Sequence, residues 1–507
     1  MFVEVGVLVF AAIVLWEIYL ILTEPRNLPP GFRVPSLISL VTFPTNVSPH
    51  KRLINAGLSA GKYGDVSCMR IGRQLMVVVS SFETAREALV QKGFQFAGRP
   101  SLEVAKQITR DGKDVVLGDF GPGWRMHRKI VLSALKTYGV GLSILENKIS
   151  VEAEAIVETF QTNLGNPFNP RPNIVNAVLN IICAILFGER YSLNDPEFYE
   201  IERFHSSLTR IFAKGQILDI FPLLKYLPVQ IMRDIKEAVK FRDRFFERKL
   251  AEHRDQFQDA EPVRDLTYEL LKAAKEANTD QECTTKEYLT DDHLVGTMMD
   301  VFLAGAETTA TTILWVLAYM ISYPEVQARV QKEFDDVIGK ERLPSFSDRG
   351  NLPYFEATIK ETIRHATPFV VGAPHKTTTD TTLKGYNIPK DTMVIFNLWQ
   401  IHHDPRHWKN PHDFEPTRFL DERGKLLNVS TLSYMPFSLG PRACLGESLA
   451  KTELFLFLSR LLYEFKFENP PDVPPPDMKG TFGVVQSPKP YKVVVKKRFL
   501  RLSMFMP

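Results

Sequence analysis

Cysteine is scarce in this chain. Only four of its 507 residues are cysteine: Cys68, Cys183, Cys283 and Cys444. None is in Cys-x-x-Cys spacing, which argues against a disulfide framework and a tightly spaced structural zinc site and fits a reducing compartment. Charge of one sign is also lacking. The formal net charge of +3 is too small to argue for a nucleic-acid partner, and none is expected. No glycine-rich dinucleotide or flavin motif follows a strand and opens a helix, so the chain is not expected to collect electrons from NADPH unaided. Internal repeats and long linkers are absent too. With 44% hydrophobic and 24% charged residues, a large ordinary core is expected and global disorder is not.

One long apolar run is present. Phe2 to Leu22 is broken only by Glu4 and Glu17, and about 20 residues span a bilayer as a helix. Neither a basic start nor a small-residue cleavage site marks a signal peptide. Arg26 and Arg33 favour a cytoplasmic flank. The expectation is a retained membrane anchor over residues 1–23, with a tilted or shallow insertion as the alternative because of Glu17. The sequons at Asn46 and Asn428 would then stay unmodified in the cytosol. Pro25, Pro29, Pro30 and Pro35 predict a stiff hinge over residues 24–36.

Residues 37–507 read as one large domain, mainly α with small β-sheets. Val66–Ile71 and Gln74–Val79 predict a hairpin around Gly72-Arg73. Helical periodicity dominates from about Glu83 to Pro368, with the polar stretch Ala274–Glu287 expected as an exposed loop. Strands and turns return after Pro368, a last helix follows Gly446, and Pro471–Pro476 is a proline-rich loop. Asp291–Tyr323 predicts a single helix of roughly 50 Å, capped by Thr290 and ended by Pro324. Gln216–Met232 is apolar but broken by two prolines. It fits a buried connection and a second membrane contact equally well.

Residues 437–446 read Phe-Ser-Leu-Gly-Pro-Arg-Ala-Cys-Leu-Gly. Gly440 permits a turn that a side chain would block. Cys444 then falls at the mouth of the last helix, where unpaired N–H groups and the positive dipole end favour thiolate. A lone cysteine is more often a small buried hydrophobe, but the glycines, Arg442 and the helix start are unnecessary for that role.

Phe437, Gly440, Arg442, Cys444 and Gly446 resemble the haem-binding signature of the cytochrome P-450 superfamily. The resemblance implies the fold of that family and haem b, with Cys444 as the metal ligand. A thiolate ligand assists O–O cleavage, and Arg442 suits a haem propionate. Trp124 and Arg128, one helical turn apart, and His375 in Ala-Pro-His-Lys match further propionate contacts. A histidine could ligate iron instead, but none of the 11 has a context as specific as that of Cys444. Glu361 and Arg364 share a helix face at i and i+3. Alone they would be a surface ion pair of little consequence. The resemblance implies a structural network with Arg418 that supports the cysteine loop.

In the long helix, residues 304–309 read Ala-Gly-Ala-Glu-Thr-Thr. A packing glycine and back-bonded threonines would explain most of this, but not the acid. The resemblance implies that Glu307 and Thr308 form an acid–alcohol pair that relays protons during oxygen activation. The role of Thr309 stays open, and Gly305 is expected to admit dioxygen close to the backbone.

The resemblance covers nearly the whole chain, including Phe96-Ala-Gly-Arg-Pro100 and Ser433–Phe457. It is to the animal microsomal enzymes that oxidise steroids and xenobiotics. Asn397-Leu-Trp-Gln-Ile-His-His403 and Ser347-Asp-Arg349 lie nearest the steroid 17-alpha-hydroxylase/17,20-lyase branch. Arg242 and Val484 match pocket positions of that branch, and His205 stands where it has a steroid-binding asparagine. Histidine also donates a hydrogen bond. The implied reaction consumes dioxygen and NADPH-derived electrons at the endoplasmic reticulum membrane, with the body of the chain cytosolic. The implied partners are NADPH-cytochrome P-450 reductase, at the basic helix carrying Arg125, Arg128, Lys129 and Lys136, and cytochrome b5 at Arg349 and Lys360. Solvated surface charge is the plainer account of the last two. Other readings are a xenobiotic or fatty-acid hydroxylase, a peroxide isomerase or dehydratase, and a non-enzymatic haem or sterol carrier. Glu307–Thr308 argues against the peroxide chemistry, and the setting of Cys444 against the carrier.

Overall fold

The computed structural model describes residues 2–34, 63–71, 74–138, 143–215, 218–219, 222–258, 264–279 and 286–499. The chain forms two compact units. One comprises Met1–Leu102, Phe369–His412 and Ser430–Cys444; the other comprises Glu103–Pro368, Asp413–Val429 and Leu445–Pro507.

The first unit carries helix α1 (Phe2–Leu22) and a five-stranded sheet in the order β1-β2-β3-β7-β4. These strands are β1 (Gly31–Val34), β2 (Val66–Ile71), β3 (Gln74–Val79), β4 (His375–Lys376) and β7 (Met393–Phe396). The expected hairpin is present: β2 and β3 pair antiparallel, Val66 opposite Val79 and Ile71 opposite Gln74. Its turn, Gly72-Arg73, lies outside the described residues. Val66, Cys68, Val77 and Val79 face a core shared with Leu89, Phe96, Val394, Phe396, Ile401 and Met435. Part of the expected hinge is a strand instead. Gly31–Val34 pairs parallel to Cys68–Ile71, and a Cβ at Gly31 would lie 1.8 Å from the Cys68 carbonyl oxygen. A small antiparallel pair, β5 (Thr381–Leu383) with β6 (Tyr386–Ile388), completes this unit.

The second unit is helical. In order come α2 (Glu103–Ile108), α3 (Pro122–Tyr138), α4 (Ser143–Gln161), α5 (Arg171–Leu186), α6 (Pro196–Lys214), α7 (Gln230–Gln256), α8 (Leu266–Thr279), α9 (Asp291–Ser322), α10 (Pro324–Val337), α11 (Pro353–Ala366) and α12 (Glu447–Glu464). Two strand pairs lie at its C-terminal end, β8 (Phe465–Glu468) with β11 (Val494–Lys497) and β9 (Thr481–Phe482) with β10 (Gln486–Ser487).

The 32-residue α9 is the axis of this unit. It is long and apolar enough to cross a membrane, but 72% of its most apolar stretch is buried by the protein, so it is a core helix. Trp315, Tyr319, Phe302 and Met298 are among its buried side chains. Asp291 and Asp292 occupy its first turn, where the helix dipole favours them. Thr290 is the N-cap but makes no side-chain cap; its hydroxyl instead meets His293 Nδ1 at 2.8 Å. Gly305 lies close to α5. A Cβ there would come within 2.4 Å of Ile182 Cδ1 on α5. The expected loop Ala274–Glu287 is also corrected: residues 274–279 complete α8, with Ala277 buried, and residues 286–288 form a 3-10 turn. Residues 280–285 lie outside the described residues.

The segment 216–232 is mixed. Leu218 and Met232 are buried, whereas Tyr226 and Leu227 are exposed.

Glu361 and Arg364 on α11 are fully buried, with Arg364 Nε 2.7 Å and Nη2 2.8 Å from the two carboxylate oxygens. Arg418, in the 3-10 turn Pro416–Phe419, brings Nε to 3.3 Å from Glu361 Oε1 and Nη2 to 3.2 Å from the Asp413 carbonyl. The backbone N–H of Glu415 also donates to Glu361, at 2.9 Å. One carboxylate thus ties residues 413–418 to α11. Removing one partner of such a desolvated pair leaves the other charge buried. Glu361→Gln is therefore expected to destabilise the chain by about 3–5 kcal/mol, measured as a loss in denaturant unfolding; a change below about 1 kcal/mol would mean that the pair behaves as a surface salt bridge.

On α12, Glu453 is buried and Thr309 of α9 directs its hydroxyl to it. Burial pushes the Glu453 carboxyl up to about 8, against the hydrogen bond from Thr309, which pulls it down. The folded chain therefore keeps this proton over a range in which the unfolded chain, with an ordinary value of 4.5, has lost it. Stability from this group falls as pH rises from about 4.5 to about 8 and is flat above. Glu453→Gln should remove that fall, seen as a flatter melting temperature against pH; an unchanged slope would place the titration elsewhere.

Candidate active site

In the first unit the cysteine loop is held by backbone constraints. Ser438 and Gly440 have positive φ, 60° and 70°. A Cβ at Gly440 would sit 1.7 Å from the Leu89 carbonyl oxygen, so only glycine lets the loop dock there. The loop then makes a 3-10 turn, Gly440–Arg442, and closes with the Cys444 N–H donating to the Phe437 carbonyl at 2.8 Å. Phe437 is half-buried. Cys444 is exposed, whereas Cys68 and Cys183 are buried; Cys283 lies outside the described residues.

Arg442 is buried and donates from Nε to the Ala97 carbonyl at 2.8 Å. His375, on β4, is also buried, with Nδ1 2.7 Å from the Phe96 carbonyl. A carbonyl only accepts, so Nδ1 carries a proton. Burial, and then the positive charges of Arg99 and Arg442, hold the His375 imidazole well below its ordinary value, against the Phe96 hydrogen bond. It is therefore neutral near pH 7. Arg99 is the residue that sequence reasoning missed here. It is buried and donates to the carbonyls of Pro374 at 2.8 Å and Ala373 at 3.3 Å. Its only sequence signal was its place in Phe96-Ala-Gly-Arg-Pro100. An exposed thiol together with a buried cationic cluster is a donor set that fits an iron porphyrin bearing carboxylates.

In the second unit, Trp124 on α3 is buried, with its indole N–H donating to the Val115 carbonyl at 2.9 Å. The Arg128 guanidinium lies 5.6 Å from the Trp124 ring centroid. Asp300 on α9 was not foreseen. It accepts from the N–H groups of Val115 and Val116, both at 2.7 Å, and so pins the segment before α3. Burial and then Asp114 push its carboxyl well above the usual range.

Glu307 is 2% exposed. One Arg171 nitrogen bridges its two oxygens, at 2.9 and 3.2 Å. Thr311 donates to it at 3.3 Å, and His205 Nε2 on α6 stands 3.7 Å away. The structure thus brings the acid candidate near a substrate candidate and pairs that acid with an arginine the sequence did not flag. Thr308 lies half-buried and back-bonds to the Ala304 carbonyl at 2.7 Å. Thr309 differs: it is buried and turned to Glu453.

The other candidates lie apart from that cluster. Arg242 on α7 is buried and fully engaged in structure. It donates to the carbonyls of Gln107 and Ile108 at 2.9 and 2.6 Å, closing the C-terminal end of α2, and pairs with Asp243 at 2.6 Å. These bonds cap the C-terminal end of α2. Val484 is half-buried between β9 and β10. Arg349 and Lys360 both approach Glu356, at 3.8 and 3.7 Å. Arg125, Lys129 and Lys136 are exposed on α3.

Comparison with known proteins supplies the family. Residues 29–495 match the family model described as Cytochrome P450. The chain is 39% identical over 474 residues to a steroid 17-alpha-hydroxylase/17,20 lyase of Squalus acanthias, covering 94% of this chain and 92% of that one. It is 35% identical over 513 residues to cytochrome P450 2U1 of Bos taurus, covering 97% and 93%. A solved structure described as zebra fish cytochrome P450 with progesterone superposes with a TM-score of 0.79 at 34% identity, covering 89% of this chain and 100% of that one. With its mainly helical fold and its small sheets, the chain belongs to the cytochrome P450 family.

Proposed function

We propose that this chain is a haem-thiolate monooxygenase that hydroxylates a steroid, in the manner of the 17-alpha-hydroxylase branch. Membership of the family carries haem, oxygen-dependent catalysis, a redox partner and a lipophilic substrate. The observation that supports the residue-level reading is the Cys444 loop, which exposes a thiol on a rigid turn beside buried Arg442, Arg99 and His375. Cys444 would ligate the iron, with Phe437 against it. Arg442, His375, Trp124 and Arg128 would hold the propionates. The bound group supplies oxygen activation. The chain's own residues orient the substrate, exclude water and move protons.

Glu307 and Thr308 are the proton-handling pair in this reading. Thr308 has an acceptor in the Ala304 carbonyl, so its own oxygen is left to accept from or pass a proton to a neighbour. His205 would meet a polar atom of the substrate. It is neutral near pH 7, because burial lowers its proton affinity and Arg171 opposes the favourable charge of Glu307. The steroid reading rests on the 39% identity to the steroid 17-alpha-hydroxylase/17,20 lyase of Squalus acanthias and on the likeness to the zebra fish structure with progesterone.

Electrons would come from NADPH through NADPH-cytochrome P-450 reductase docking on Arg125, Lys129 and Lys136, and cytochrome b5 would bind near Arg349 and Lys360. The anchor would be α1, on which Leu15, Trp16, Tyr19 and Leu22 are exposed. It would hold residues 37–507 as a cytosolic domain on the endoplasmic reticulum membrane, with Tyr226 and Leu227 as a second contact.

The test is reconstitution of the full chain with haem, reductase and NADPH against a steroid panel. A product one oxygen atom heavier is expected, together with a strongly red-shifted Soret band for the reduced carbon monoxide form. Cys444→Ala should lose both; a globin-like band in the wild type would sink the thiolate assignment. Thr308→Ala should keep the band but release more peroxide per NADPH consumed. Unchanged coupling would remove Thr308 from proton handling.

A further inference from the structure

The proline-rich loop between β8 and β9 takes no part in the reaction. Residues 469–480 read Asn-Pro-Pro-Asp-Val-Pro-Pro-Pro-Asp-Met-Lys-Gly. Both ends of the loop are braced. At the near end the Val473 N–H donates to the Pro470 carbonyl at 3.4 Å, and Asp472 has a φ of 59°. The Asn469 side-chain amide donates to the carbonyls of Pro470, at 3.2 Å, and of Val473. At the far end Pro476 is buried. Asp477 pairs with Lys489 at 2.5 Å and accepts from the Lys479 N–H at 2.7 Å. The Ser322 hydroxyl of α9 donates to Met478 Sδ at 3.7 Å.

Between these braces stands one short extended stretch. Proline fixes its own φ near about −65° and drives the residue before it out of the helical region. Val473, Pro474 and Pro475 each precede a proline, so each is driven towards the polyproline II conformation. Residues 471–475 are all exposed, Val473 by 39%. Among the described residues no hydrogen bond reaches the carbonyl of Pro474 or Pro475. The surface therefore offers two adjacent proline rings and two free carbonyls, on a backbone that has little entropy left to lose on binding. An aromatic-lined proline groove reads such features.

Charge narrows the partner further. The Asp472 carboxylate is exposed and makes no ion pair among the described residues, whereas Asp477 is neutralised by Lys489. A free acid at this edge disfavours an anionic lipid surface and a nucleic-acid backbone. It suits a protein groove with a basic side chain beside it.

We propose that residues 472–476 are a docking motif for a small folded domain whose aromatic-lined proline groove carries a basic edge. Pro474 and Pro475 enter the groove, Asp472 meets the basic edge, and the braces at Asn469 and Asp477 present the stretch ready-formed. None of these residues belongs to the candidate active site, so the motif stands or falls independently of the reaction.

The test uses the full haem-loaded chain in detergent micelles, titrated with a set of purified SH3, WW and EVH1 domains and followed by biolayer interferometry. At least one domain should bind with a dissociation constant of about 100 μM or tighter. Pro474→Ala/Pro475→Ala should weaken that binding by about tenfold or more. Asp472→Lys should weaken it by about threefold or more at low salt, and by less at high salt. Far-UV circular dichroism confirms that each variant is folded, and product formed per NADPH should be unchanged in both. If no domain binds, or if binding survives the loss of both prolines, the docking motif is wrong. Equal affinity of Asp472→Lys and wild type at low salt would overturn the basic edge.

Discussion

A long helix through a protein core cannot leave polar side chains unpartnered, and α9 carries many of them. Asp300, Glu307, Thr309, Thr311 and Thr312 are all buried on it. Each draws a partner from another part of the second unit or from the helix itself. Asp300 takes backbone N–H groups from residues 115–116, Glu307 takes Arg171 from α5, and Thr309 takes Glu453 from α12. Thr312 bonds back to the Thr308 carbonyl at 2.9 Å. The cost of desolvating these groups is what fixes α5, α12 and the segment before α3 against one axis. Ion pairs in such surroundings give little net stability but penalise alternatives strongly. The same logic holds at Glu361, where one carboxylate collects two arginines and a backbone N–H.

The first unit solves a different problem, which is how to present an exposed cysteine on a stiff turn. It does so with backbone geometry. Positive φ at Ser438 and Gly440, the close approach of Gly440 to Leu89, and the Cys444–Phe437 hydrogen bond leave the loop little freedom. Burial first, and then the charges of Arg99 and Arg442, keep His375 from taking up a proton.

Pattern was enough to find the elements. The β-branched alternation in Gln74–Val79 and the apolar run with acids at one end and Pro324 at the other located β3 and α9 closely. Pattern failed where two segments distant in sequence compete for one role. Ala274–Thr279 looks polar enough for a loop, yet its buried Ala277 continues α8.

The sequence by itself determined the family, because a cysteine framed by Phe437, Gly440, Arg442 and Gly446 is specific without any coordinates. It also identified Glu307 as an acid that an apolar helix does not need. Only the tertiary structure decided which groups that acid meets. Arg171 is 136 residues away along the chain and carries no motif, and Glu453 reads as one more acid on an ordinary helix. Partner choice inside a core depends on which buried groups come within a few ångströms, and that is fixed by packing.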